Sequence, residues 1–273
     1  MKIIVKNDDY LLEYLYKNIS NRSKNNVKTL LKNGVYVNGK LVTKHDYMLK
    51  IGDELNIIIN RIDSIDVIYE DNDFLVVNKP YNLLTVSTEK EKEKTLYHMV
   101  LEYLRKKNQR VFIVHRLDKD TSGLVVFCKN AHLRDLMQKN WGKVIRKYVA
   151  VVEGDLKDLS GSFKSYLIED NNFKVHVTNS KNGKLAITNY KKLKSNFRYT
   201  LVEIEILTGR KNQIRVQFSQ NGNPVVGDKK YSSRKSGGRL YLHSNRLEFV
   251  HPITKKKMNF TLPIPVEFDT MVK

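Results

Sequence analysis

The spacing of apolar and polar positions changes along this chain, and each change marks an element. The sharpest contrast lies in Val111–Lys129, where two apolar, β-branched-rich runs, Val111–Val114 and Leu124–Phe127, bracket the polar insert His115–Gly123. Apolar runs bounded by turn residues predict two strands joined by a loop. The insert sets three cations and two carboxylates between segments that seek burial. Loops tied to rigid strands are where chemistry concentrates, although Asp, Thr, Ser and Gly are also the ordinary residues of a charged turn.

Toward the N-terminus, Leu11, Leu12, Leu15 and Ile19 share one helical face, with Asp8 or Asp9 as the cap. Ser23–Asn33 predicts a second helix closed by Gly34. Val27, Leu30 and Leu31 form its apolar stripe, and Lys24, Lys28 and Lys32 recur at every fourth position behind Arg22. Lysine faces are common on solvated helices. Here no Asp or Glu lies between Ser20 and Asn33 to neutralise the cations, which favours a phosphate-facing surface. Val35–Val42 reads as a hairpin around Asn38-Gly39, and Gly52-Asp53 turns into a strand over Glu54–Ile59.

After the short polar stretch Arg61–Ser64, Asp66–Asp73 and Phe74–Pro80 read as strand, turn and strand, with Asn78-Lys79-Pro80 as an ordinary turn. Leu96–Leu104 has helical spacing with Thr95 as cap. Leu133, Leu136, Met137 and Trp141 give a further helix, and Val144–Val152 a strand. Asp155–Leu201 is lysine-rich with short strands and a hairpin tip at Asn182-Gly183. Leu201–Leu207 alternates as a strand with one buried face. Arg210–Gln220 then predicts a short helix in which Ile214 and Phe218 face inward and Arg215 sits at the edge. Ser232–Arg239 is a small, basic loop. Leu240–Phe249 and Lys257–Leu262 are closing strands, and Pro263 and Pro265 mark the end of regular structure.

Charge narrows the class. Forty-nine Lys and Arg against 29 Asp and Glu give a formal net charge of +20, which suits a polyanion, nucleic acid first and an acidic membrane surface second. No apolar run reaches the length of a membrane span, and the N-terminus lacks a signal-peptide pattern. The single Cys128 sits in an apolar run and reads as a buried structural thiol. The seven His are scattered, so no metal-ligand spacing emerges. A cytoplasmic, soluble protein facing RNA or DNA is the expectation, with a monomer as the default.

The run HRLDKDTSGL, His115–Leu124, resembles the signature of the RluA-type pseudouridine synthases. Further blocks resembling that family follow its order: Glu70–Pro80, Lys147–Gly154 with Tyr148, Thr208–Gln217, Gly227–Tyr231 and Leu242–Thr254. The first 60 residues resemble the S4-like RNA-binding domain, through Arg22-Ser23, Gly34, Val35–Gly39 and Gly52-Asp53. These resemblances imply an α+β protein: a small α/β S4-like module over 1–60, a linker over 61–66, and a catalytic domain over 67–273 built on a mixed, mostly antiparallel sheet flanked by helices.

They also imply a chemistry. Enzymes of the family turn selected uridines of RNA into pseudouridine without a cofactor, breaking the bond from N1 to the ribose and rejoining the base through carbon 5. A carboxylate must act on the nucleotide, at the sugar or at the base, and a carboxylate in a pocket that excludes water needs a cation beside it. By the resemblance the carboxylate is Asp118, with Asp120 a loop residue, and Arg215 the partner cation. Tyr148 is the aromatic that stacks on uracil and relays the proton from carbon 5. From the residues alone Arg215 would read as a surface Arg and Tyr148 as packing. Arg116 is the candidate for filling the gap left by the displaced base. His115 and Lys119 are candidates for contacting phosphate or positioning the loop. Arg210, together with Arg22, Lys24, Lys28 and Lys32, completes the set of expected RNA contacts. The chain departs from the family pattern at Asn212 and Gln217, where relatives carry His, and at Tyr81–Val86. Large-subunit ribosomal RNA is the expected substrate, transfer RNA the alternative, and a non-catalytic RNA-binding assembly factor the rival of another class.

Overall fold

The computed structural model describes residues 2–18, 35–57, 65–87, 95–179, 181–231 and 238–273. The basic helix expected over Ser23–Asn33, with Arg22, Lys24, Lys28 and Lys32, lies outside the described residues, as do positions 232–237 of the basic loop. The chain divides into two compact units, Met1–Asp63 and Ser64–Lys273.

In the first unit, β1 (Lys2–Ile4), β3 (Val35–Val37), β4 (Lys40–Leu41) and β6 (Glu54–Ile57) form a sheet in the order β1-β6-β3-β4, while β2 (Asp9–Tyr10) pairs with β5 (Met48–Leu49). The β3–β4 hairpin turns at Asn38 and Gly39, both with positive φ, which is the geometry Asn-Gly favours. Helix α1 (Leu11–Asn18) buries Leu11, Tyr14 and Leu15 against Val5, Val35, Val37, Leu49 and Leu55. The expected Asp cap is corrected. The first helical N–H groups donate to the Tyr47 and His45 carbonyls, leaving Asp8 to hold the backbone and side chain of Ile51 and Lys50, and Asp9 to hold Lys17.

The second unit is built on one 11-stranded sheet. Its strands are β7 (Asp66–Glu70), β8 (Phe74–Lys79), β9 (Phe112–Ile113), β10 (Ser122–Cys128), β11 (Ile145–Glu153), β12 (Ser160–Glu169), β13 (Val175–Thr178), β14 (Lys184–Ser195), β15 (Tyr199–Ile206), β16 (Leu242–Val250) and β17 (Lys257–Thr261). The order is β13-β12-β14-β15-β11-β16-β10-β8-β7, with β17 on β16 and β9 on β10. Every named pairing is antiparallel except β10 with β16, where Ser122 faces His243 and Gly123 faces Ser244. Two antiparallel halves therefore meet along a parallel seam two residues long. The fold is α+β with a mixed, mostly antiparallel sheet, as the sequence implied.

Helices cover the sheet in short pieces. Thr95 caps α2 (Leu96–Arg105) by accepting from His98, and Asn130 caps α3 (Ala131–Lys139) by accepting from Leu133. Leu133 and Met137 of α3 pack on Phe74, Val76, Leu124, Val126, Leu247 and Phe249. Helix α4 (Gln213–Gln220) sets Val216 against Leu167, Val175 and Ala186. Helix α5 (Val266–Met271) seats Phe268 on Val149, Val151 and Leu201.

Several boundaries differ from expectation. Helix α4 begins at Gln213 rather than Arg210, because Asn212 takes a left-handed conformation at φ +51°. Trp141 leaves α3 for a separate turn of 3₁₀ helix, Trp141–Lys143. Regular structure continues past Pro263 and Pro265: Pro265 precedes the first turn of α5, where no N–H is needed, and the buried Phe268 supplies the packing. Asn182-Gly183 is not a hairpin tip. Strand β12 lies between β13 and β14, so this segment crosses from one side of β12 to the other, and β12 and β14 are long strands.

The parallel seam depends on Gly123. Its φ is +115°, and an added Cβ would meet the Ser244 carbonyl oxygen at 2.1 Å. Gly123→Ala is therefore expected to cost about 3 kcal/mol or more, lowering Tm by roughly 6 °C or more for a unit of this size. Calorimetry reads this directly, and an unchanged Tm would show that the two half-sheets can part at Ser244 without cost.

Candidate active site

The loop between β9 and β10, residues 114–121, is held at nearly every position. The Leu117 N–H donates to Thr85 Oγ1 at 3.1 Å, and the same hydroxyl donates to the Leu117 carbonyl at 2.7 Å. Lys79 is fully buried, and its Nζ donates to the carbonyls of Pro80, Leu83 and Lys119 at 3.0, 2.7 and 3.0 Å. Three ammonium N–H groups thus meet three carbonyls and tie residues 80–83 to the loop. The sequence reading of Asn78-Lys79-Pro80 as a turn is corrected accordingly. Thr121 N–H closes the loop onto the Asp118 carbonyl at 3.2 Å.

His115 is part of this scaffold. Its Nε2 accepts from the Val126 N–H at 3.1 Å, and its ring stacks on Trp141 with centroids 4.4 Å apart. Burial, aided by the nearby Arg146 cation, pulls its pKa down to about 3, so it stays neutral at physiological pH. Of the two roles expected of His115, phosphate contact or loop positioning, these contacts serve the second.

Asp118 stands in the middle of the loop with its side chain 28% exposed, and Arg215 and Asn212 reach it from α4 and its cap. Asp118 Oδ2 accepts from Asn212 Nδ2 at 2.5 Å and from Arg215 Nη1 at 3.4 Å. Arg215 is not at the helix edge, as expected, but buried. Its Nε and Nη2 donate to Asp228 Oδ2 and Oδ1 at 2.7 and 2.8 Å. Asp228 is completely buried, and its Oδ1 also accepts from the Lys230 and Tyr231 N–H groups. Despite burial, the hydrogen bonds and charge of Asp228, with the nearby Asp118, hold the Arg215 pKa above its ordinary value.

Asp228 and Tyr231 supply what the sequence reading did not foresee. The Tyr231 hydroxyl accepts from the Val175 N–H at 3.2 Å and donates to Asn212 Oδ1 at 3.1 Å. With Oδ1 so occupied, the Asn212 amide must turn its NH₂ toward Asp118. The Arg215 guanidinium lies 5.3 Å from the Tyr231 ring centroid, adding a cation–π contact. Gln217, the other departure from the family pattern, takes no part. It is buried and donates to Ser165 Oγ and the Ala186 carbonyl.

Asp118 lines a cavity of about 540 Å³ together with Arg116, Tyr148, Arg146, Arg210 and Arg215. Tyr148, on β11, is buried, and burial pushes its hydroxyl up to about 12, keeping it a neutral phenol. Arg116 and Arg210 are exposed at the cavity, and Arg210 Nε donates to the Leu185 carbonyl. Lys119 is exposed and lines a second cavity, of about 390 Å³, which Asp118 also borders. Arg146 is the cavity residue that sequence reasoning missed: adjacent basic positions on β11 look alike in one dimension, but Lys147 pairs with Glu203 while Arg146 is buried. Cys128 is buried with its thiol pushed up to about 12, which fits the inert thiol expected.

Residues 73–220 match the family model described as RNA pseudouridylate synthase. An uncharacterized RNA pseudouridine synthase of Mycoplasma genitalium is 34% identical, the alignment covering 96% of this chain and 91% of that one. The ribosomal large subunit pseudouridine synthase D of Buchnera aphidicola is 31% identical, covering 90% and 87%. Among solved structures, human RNA pseudouridylate synthase domain containing 4 superposes with a TM-score of 0.63 at 23% identity, over 75% of this chain and 90% of that one, which shows the same fold.

The Lys79 clamp carries a pH signature. Burial pulls its pKa from 10.5 to about 7, against the attraction of Asp118 and Asp120. Between those values the unfolded chain binds the extra proton, so this group makes stability rise with pH across that window. The neutral amine, however, has two N–H groups for three carbonyls, and the loop carrying Asp118 loosens. Activity is expected to fall above about pH 7–8 with no matching fall in Tm. Lys79→Met should lower activity at every pH and abolish that limb; a pH–rate profile in which the limb persists would assign it to another group.

Proposed function

The chain belongs to the RNA pseudouridylate synthase family, and from that premise we propose that it isomerises selected uridines of large-subunit ribosomal RNA, with Asp118 as the reacting carboxylate. As a member of that family it is an isomerase acting on RNA. The ribosomal target is supported by the Buchnera relative, whose name places its own action on the large ribosomal subunit.

The observation that carries the assignment of Asp118 is the division of labour around Arg215. One carboxylate, Asp228, is buried and saturated with donors, while the other, Asp118, meets Arg215 and Asn212 through Oδ2 alone and faces the cavity. Its Oδ1 accepts no hydrogen bond among the described residues and is the oxygen left for a nucleotide. Arg215 Nη1 and Asn212 Nδ2 fix the carboxylate plane, so orientation is set before substrate arrives. Tyr148 brings a ring against which uracil can stack and a hydroxyl that keeps its own proton. It can pass a proton from carbon 5 only by releasing one as it accepts another. Arg116, exposed beside Asp118, is placed to enter the space that a displaced base leaves in the RNA. The N-terminal unit, with its Asn38-Gly39 hairpin, serves in this reading as an S4-like RNA-binding module.

Asp118→Asn is expected to lower turnover on the order of 10³-fold or more while RNA binding survives. Turnover near the wild-type rate would remove Asp118 from the mechanism. Mapping pseudouridine at single-nucleotide resolution in RNA from cells with and without the gene tests the substrate. Sites lost from the large-subunit RNA support the proposal, sites lost only from transfer RNA replace that substrate, and no lost site with an inactive purified protein favours an assembly factor.

A further inference from the structure

Arg146 is a buried cation in the cavity wall. It is 5% exposed, and among the described residues no carboxylate pairs with it. Its only hydrogen bonds among those residues run from Nη2 to the Ile206 and Leu207 carbonyls, long ones at 3.4 and 3.3 Å. Nε is buried without a partner. Arg215, in the same wall, shows the contrast, since its charge is met by Asp228 and again by Asp118. Burial accordingly lowers the Arg146 pKa, where that of Arg215 is raised.

Removing a guanidinium from water and meeting it with two weak carbonyl bonds is costly unless a ligand completes the shell. The place left for that ligand is also visible. Gly209 lines the same cavity, and a Cβ built on it would lie 2.9 Å from Arg146 Nη1. The missing side chain keeps this edge of the guanidinium open. Of the groups an RNA strand brings into a cavity, only the phosphodiester carries a full charge, and a planar guanidinium suits its oxygens. We propose that Arg146, with the open backbone at Gly209, forms a phosphate seat that binds a linkage flanking the target uridine while Asp118 faces the nucleoside. This rests on the uridine-directed reading of the cavity above and makes Arg146 a positioning residue, since it holds the strand and leaves the isomerisation to other groups.

The test uses the full chain and triuridylate as probe, with the 5′ or the 3′ linkage of the central uridine replaced in turn by an uncharged methylphosphonate. Wild type is expected to bind one of the two neutral analogues about 10- to 100-fold more weakly than triuridylate, the range for a charge-assisted contact. Arg146→Gln should bind triuridylate with the same loss and make no distinction between charged and neutral linkages. Arg146→Lys should keep part of the distinction. Gly209→Ala, which keeps the charge but crowds Nη1, should weaken binding of triuridylate while keeping part of the distinction, and guards against a Gln variant that fails to fold, since Tm is read on each sample. Wild-type affinity in Arg146→Gln, or discrimination between charged and neutral linkages that survives it, overturns the proposal. Binding is read without turnover. A protein that forms no pseudouridine yet shows this pattern loses the functional reading alone, and an active enzyme without the pattern loses the phosphate seat alone.

Discussion

The site depends on one buried guanidinium held by two carboxylates of different standing. Moving an ion out of water costs several kcal/mol even after relaxation, and Arg215 is tolerated because Asp228 meets two of its nitrogens in parallel. Asp228 in turn is tolerated because Lys230 and Tyr231 donate backbone N–H groups to its Oδ1. With that pair closed, the remaining nitrogen of Arg215 points to Asp118. Breaking the inner pair would leave an uncompensated buried charge, typically a loss of 3–5 kcal/mol, whereas the outer contact, longer and partly exposed, contributes less to stability. The inner pair belongs to the fold and the outer one to the site.

A rigid cation is useful only if the carboxylate it faces is equally rigid, and Asp118 sits on a loop. The seam between the half-sheets anchors one end of that loop, because Ser122 and Gly123 enter β10 where Ser244 leaves no room for a side chain. Thr85 and Lys79 hold the loop's backbone with three hydrogen bonds, at Leu117 and Lys119, and Lys79 holds residues 80–83 with two more. His115 acts similarly at the start of the loop, trading the charge its name suggests for a ring stacked on Trp141. Much of the polar insert therefore serves to immobilise Asp118.

The strands around this loop were legible because their apolar runs are unbroken and bounded by turn residues. The caps at Thr95 and Asn130 follow from local chemistry that a one-dimensional reading sees. The positions that escaped share another property: their roles depend on which long-range partner they meet. Lys79 reads as part of a turn until the Lys119 carbonyl arrives from 40 residues away. Arg215 reads as a surface residue until Asp228 buries it. Arg146 and Lys147 are neighbours with the same charge, and the pleat sends one to the cavity and the other to Glu203. The Asp118 loop could be picked out through its resemblance to a family. Asn212 could be flagged through the same resemblance only as a departure from it, because its hydrogen bonds to Asp118 and Tyr231 join three segments far apart in sequence.

Local charge balance then separates attraction from placement. The chain's +20 draws a polyanion from a distance, but at physiological salt that field is screened beyond about 8 Å, and exposed cations such as Arg116 and Arg210 act mostly at the rim. Inside the cavity Arg215 and Asp228 cancel, so the charges that remain are the carboxylate of Asp118 and the cation of Arg146. A carboxylate alone would repel the phosphates flanking any uridine brought to it. The unpaired Arg146 offsets that repulsion in the same cavity without touching Asp118 and without weakening its tie to Arg215.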